Sequence, residues 1–98
     1  MFINNYINSS NYKLLTETYD KEYLDNLDEE NFIKIYNLFK EYKFYFIDDI
    51  ILKYLEIFEL DVEFVKNSIE KLKEELKDNF IFHIGHNLTY LEKIIDPE

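Results

Sequence analysis

Asp61-Val62-Glu63-Phe64-Val65-Lys66-Asn67-Ser68-Ile69-Glu70-Lys71-Leu72-Lys73-Glu74-Glu75-Leu76-Lys77 is the stretch that decides the fold class. Val65, Ile69, Leu72 and Leu76 recur at spacings of four, three and four, which lines one face of a helix from about Val62 to Lys77. Asp61 is a favoured N-cap, and Leu60 and Val65 flank it as a hydrophobic staple would. Glu70 with Lys73 and Glu74 with Lys77 fall at pairing distance on the opposite, wet side.

The same period governs most of the chain. Tyr12, Leu15, Tyr19, Tyr23 and Leu27 predict a first helix from about Asn11 to Leu27. Asp28 caps a second, whose stripe is Phe32, Ile35, Tyr36, Phe39 and Tyr42, with Glu29 and Glu30 in its first turn and Lys40 and Lys43 near its end, as the helix dipole favours. Asp48 can cap a third, short helix over about Asp49 to Phe58, with Ile47 and Leu52 placed as a hydrophobic staple, that packs Ile51, Leu55 and Phe58. Phe80 to Ile84 is too short for its period to separate strand from helical turn. Gly85 is expected to break that segment. Asn87 then caps a last helix holding Leu88, Leu91, Ile94 and Ile95, ended by Pro97. The expectation is an all-α, compact bundle of about five helices in a single acidic domain over 1–98, with one short strand-like segment near 80–84 at most.

Composition narrows the function classes. The chain has 21 acids, 11 Lys and no Arg, for a net charge of −10, yet 47% of its residues are apolar, enough for a folded core. It has no Cys, hence no disulfide framework, thiolate metal site or Cys nucleophile. No apolar run approaches the roughly 18 residues of a membrane span. The N-terminus lacks early Lys, and Asn4, Asn5 and Asn8 interrupt any apolar signal core, so a cytoplasmic protein is expected. Ile, Asn, Lys, Tyr and Phe are abundant while Ala, Arg, Gln and Trp never occur, the bias of AT-rich codons. A low-GC bacterium, or a phage or mobile element living in one, is the expected source. Without Arg, the forked recognition of phosphate and guanine is closed to this chain.

The acid is concentrated. Residues 16–31 carry seven acids against one Lys, and residues 48–63 carry six against one, formal charges of −6 and −5. Such a field repels nucleic acid and anionic membrane and attracts basic protein surfaces. Glu17, Asp20, Glu22, Asp25, Asp28, Glu29 and Glu30, extended by Glu56, Glu59 and Glu63, are therefore the candidate partner-binding residues. Carboxylates at this density along a helix and the cap that follows can imitate a row of phosphates. The plain alternative is a solubilising face. Tyr6, Tyr12, Tyr45 and Tyr54 do not all fit the apolar stripes, so some rings are expected at the surface, where Tyr favours interfaces.

His83-Ile84-Gly85-His86 resembles the HIGH tetrapeptide of class I aminoacyl-tRNA synthetases and related nucleotidyltransferases. In that family the glycine admits the nucleotide and the histidines stabilise phosphates, within a large parallel sheet and with a Lys-bearing loop downstream. Here twelve residues follow His86, and they include one Lys. The two His could also ligate a metal at i,i+3, with Asn or carboxylate as further ligands. Asp48-Asp49 with Glu56, Glu59, Asp61 and Glu63 could be read as paired carboxylates for acid–base chemistry or Mg²⁺ binding, although Asp48 and Asp61 already have capping roles. The expectation is thus no enzyme, no cofactor and no bound metal. It is a protein-binding module, of the size and acidity of phage or mobile-element anti-defence inhibitors, docking on a basic, nucleic-acid-handling partner. The alternative is a homo-oligomeric (homodimer) or scaffold helical module whose acidity only keeps it in solution.

Overall fold

A computed structural model describes residues 2–96. Among the described residues seven α-helices follow one another: α1 Ser9–Thr18, α2 Lys21–Asp25, α3 Glu29–Glu41, α4 Ile47–Lys53, α5 Val62–Leu76, α6 Phe80–His86 and α7 Glu92–Ile95. A short 3-10 helix at Phe2–Asn5 precedes α1, and two more, at Leu55–Glu59 and Leu88–Leu91, lead into α5 and α7. Among the described residues there is no strand, and no helix is long and apolar enough to cross a membrane. One continuous core runs from Ile3 to Ile94, and among the described residues no polar or charged side chain lies buried in it.

Two helices start as expected. Asp61 accepts from the Phe64 amide at 3.1 Å, and Asp28 from the Asn31 amide at 3.2 Å. Each satisfies an amide that the first turn leaves without a partner. Val65, Ile69 and Leu72 are fully or almost fully buried on α5, while Leu76, in the last turn, is only half-buried. The wet side of α5 differs from the i,i+3 pairs expected there. Glu70 accepts from the Tyr42 hydroxyl, and Lys73 lies over the Phe80 ring.

The first predicted helix is two. Tyr19 and Asp20 are both extended, with ψ of 144° and 143°, and separate α1 from α2. The Thr16 and Thr18 hydroxyls bond back to the Lys13 and Leu14 carbonyls, which weakens the end of a helix. The bend also buries Leu24 alongside Leu15 and Leu27, which one straight stripe would have left to the side.

The third start is displaced. Ile47 is already helical, so Asp48 lies in the first turn of α4 rather than at its cap, and the staple with Leu52 is not formed. Its carboxylate instead accepts from the Asn11 side-chain amide at 2.9 Å, linking α4 to α1. The helix stops at Lys53, and the tighter turns of Leu55–Glu59 let Ile57 join Leu55 and Phe58 in the core, which an α-helical stripe would not. Asp61→Ala should therefore cost about 0.5–2 kcal/mol as a lost cap. Asp48→Ala should cost about 0.5–1.5 kcal/mol as one lost hydrogen bond. Thermal melts of both variants, together with Asn11→Ala, check the assignment, because Asn11→Ala should reproduce the loss of Asp48→Ala and not add to it.

Residues 80–84 are helical, and Gly85 lies within α6 rather than ending it. A Cβ there would meet the Tyr45 hydroxyl and come within 2.9 Å of Tyr45 Cζ and 3.0 Å of Phe46 Cδ1. Close approach of the α3–α4 connection is what the glycine permits. That connection turns on Lys43, at φ 65°, with Phe44 N–H bonded to Phe39 C=O and Lys43 N–H to Lys40 C=O. This is a Schellman closure with a lysine where glycine is usual. Asn87 accepts from the Thr89 amide and hydroxyl, capping the turn that leads to α7. Leu91 and Ile94 are buried and Ile95 is exposed; Pro97 lies outside the described residues.

Candidate protein-binding surface

The two acidic blocks are far apart in sequence, and the fold brings parts of them together. Glu17 is exposed on α1. Asp20, Glu22 and Asp25 are exposed at the cap position and along α2; Asp28, Glu29 and Glu30 are exposed at the cap and first turn of α3. From the second block, Glu59 is exposed at the end of the 3-10 helix, Glu56 is half-buried, and Glu63 is exposed in the first turn of α5. Glu30 is partly offset by Lys34, 3.6 Å away.

Three contacts join the blocks. The Tyr23 hydroxyl of α2 donates to the Glu59 carboxylate. The Asn31 side-chain amide of α3 donates to the Phe58 and Leu60 carbonyls at 2.7 and 2.9 Å. Asp28, Glu59 and Asp61 then line one shallow depression of about 340 Å³ with Asn26 and Asn31. Among the described residues no hydrogen bond or ion pair ties Glu17, Asp20, Glu22 or Asp25 directly to the second block. They flank the joined region and do not form it.

Aromatic rings lie inside this acid. Tyr19 stacks on Tyr23 with centroids 5.6 Å apart and planes at 23°. Burial raises both phenols above their ordinary range. The hydrogen bond to Glu59 raises Tyr23 further, and the charges of Glu56 and Glu59 raise Tyr19. The same pairing recurs on other elements, Tyr42 with Glu70 and Tyr54 with Glu92, and there too burial comes first and the carboxylate bond second. These tyrosines have a folded-state pKa above the unfolded value of about 10. Their contribution to stability is complete below about pH 10 and is lost as pH rises through the higher folded-state values. An ultraviolet titration should show Tyr23 and Tyr42 ionising together with alkaline unfolding, and replacing Tyr23 and Tyr42 by Phe should remove that late step.

Tyr19 and Tyr23 fit the core stripe by spacing but lie half-buried at its edge. Their i,i+4 spacing within an acidic run was the one signal that they could stack at its edge. Asn31 carried no such signal.

The remaining candidates are not assembled. His83-Ile84-Gly85-His86 lies within α6 with both imidazoles exposed, not after a strand, so the sheet context the tetrapeptide serves in synthetases is missing among the described residues. His86 Nδ1 lies 3.1 Å from the Phe82 carbonyl oxygen. Among the described residues, no group of three or more His, Asp or Glu side chains is placed to hold a metal ion. A larger groove, about 740 Å³, runs beside α5 and α7, where Lys93 forks onto both Glu75 oxygens at 2.9 Å. No protein-family model matches the chain, nor does any curated protein or solved structure.

Proposed function

We propose that this chain is a non-enzymatic protein-binding module that occupies a basic, nucleic-acid-binding surface of its target, as a phage or mobile-element anti-defence inhibitor would. One observation carries the reading: the second acidic block is folded against the first around a Tyr19–Tyr23 stack. Carboxylates steer a basic partner in, and the half-buried Tyr19 and Tyr23 rings beside them offer its Lys or Arg side chains cation–π attraction. A purely solubilising surface has no need for half-buried rings among its charges.

The test begins with affinity capture of the partner from the native host. Glu17, Asp20, Glu22 and Asp25 are then replaced together by their amides. All four are exposed, so the circular dichroism spectrum should not change. Association should slow by about 10- to 1000-fold at low salt, the range attributable to electrostatic steering. The wild-type affinity should fall as salt rises, because exposed charges are screened beyond about 8 Å at physiological ionic strength. Nucleic acid should compete for the partner. Binding indifferent to salt and to these four substitutions would discard the reading.

A further inference from the structure

The groove of about 740 Å³ beside α5 and α7 has the size of a small-molecule site. Phe64, 40% exposed, and the edge of the buried Leu72 give it an apolar lining. Three lysines, Lys71, Lys77 and Lys93, line it against two glutamates, Glu74 and Glu75, in a chain whose net charge is −10. The depression between the acidic blocks, by contrast, has three carboxylates and no lysine. Lys93 bonds to both Glu75 oxygens, which fixes that side of the groove. Among the described residues no ion pair holds Lys71 or Lys77. Lys77 is also strained. Its N–H closes α5 onto Lys73 C=O, yet its backbone sits at φ 62° and ψ −144°, a region open to glycine and costly for lysine. Strain of this kind gathers at ligand clamps. Asn79, two residues on, also has a positive φ, but asparagine tolerates the left-handed region.

We propose that this groove binds a small organic anion, an apolar body bearing a single carboxylate or sulfonate. The body packs on Phe64 and Leu72, and the anionic group is met by the Lys71 and Lys77 ammoniums. Charge selects the occupant. A polyanion such as nucleic acid, or an anionic membrane, meets the field of the whole chain and is repelled. A single charge seated among lysines is little affected by the acidic blocks, because carboxylates more than about 8 Å away are screened at physiological salt. Glu74 disfavours a second negative charge on the ligand, and Glu75 is already neutralised by Lys93. The site is independent of the acidic surface and of the partner proposed for it.

Calorimetric titration of the full chain with anilinonaphthalene sulfonate tests this, with its uncharged parent, phenylnaphthylamine, as the control. The sulfonate should bind at one site per chain with Kd below about 1 mM, at least about threefold tighter than the neutral compound. Amide shifts on binding should be confined to residues 64–77 and the neighbourhood of Lys93. Replacing Lys71 and Lys77 together by Gln should bring the sulfonate down to the affinity of the neutral compound and leave the latter unchanged. Phe64→Ala should weaken both, and Lys66→Gln, on α5 but outside the groove lining, should weaken neither. Lys77→Gly separates a clamp from a simple turn. It should raise the melting temperature by relieving the strain and still weaken the sulfonate, whereas a lysine with no ligand would give the first effect alone. The proposal is overturned by no binding up to about 1 mM, by equal affinity for the two compounds, by shifts centred on Phe82 of α6, or by binding indifferent to the lysine substitutions.

Discussion

Phe58→Ala should destabilise the protein by about 3–5 kcal/mol, the usual cost of removing a fully buried aromatic side chain. Phe58 is 2% exposed and comes from the 3-10 turn between α4 and α5. Its ring stacks on Phe32 at 4.7 Å and meets Phe39 edge-on at 5.7 Å, so two stripe residues of α3 each lose one ring partner at once. Each such pair adds about 0.5–1.5 kcal/mol beyond the area it buries. A domain of this size has roughly 5–15 kcal/mol in all, so the variant should be close to its unfolding threshold. Leu72→Ala on α5, equally buried but without ring partners, should cost about 2–5 kcal/mol. Urea unfolding followed by circular dichroism measures both. A loss under about 1 kcal/mol for Phe58→Ala would mean that the three-ring centre does not hold the helices together.

The contrast between these two residues shows where the sequence could be read. Leu72 belongs to a helix whose cap, staple residues and stripe all agree, and α5 and α3 formed with the starts expected of them. Local signals acting in concert are reliable because each one is stabilising within a turn or two of chain. The misreadings have tertiary causes. Asp48 is as good a cap residue as Asp61, but the pull of Ile47 into the core and the amide of Asn11, 37 residues away, moved the helix start past it. Tyr19 fits a continuous stripe, yet burying Leu24 favours a bend. Gly85 looks like a breaker and is instead a gap kept open for Tyr45 and Phe46. The same division holds for the acidic surface. That its carboxylates are solvated follows from composition and helical position. That the two blocks join could not be read, because the Tyr23–Glu59 and Asn31–Phe58 contacts span 36 and 27 residues and no periodicity encodes them.

Asn31 is where fold and surface depend on one side chain, and its substitutions should separate two effects. Asn31→Ala removes the donor that serves the Phe58 and Leu60 carbonyls and should cost about 1–3 kcal/mol, since those part-buried acceptors lose their partner. Asn31→Asp is nearly the same shape but should be worse at neutral pH. An ionised carboxylate there faces two carbonyl oxygens with no proton to offer, and its charge adds to that of Asp28, Glu59 and Asp61 around the same depression. Both effects disfavour the charged form, so the introduced carboxyl has a folded-state pKa above its unfolded value of about 3.9. Below about pH 4 it is protonated in both states and can donate, and Asn31→Asp should then match or exceed Asn31→Ala in stability. That advantage is lost as pH rises through the folded-state pKa, and the order of the two variants reverses. Melting temperatures of both variants across pH 3–8 test this as a difference, which cancels the protonation of the other carboxylates common to both. Parallel curves with no crossing would show that the Asn31 amide is not what fastens the second acidic block to the first.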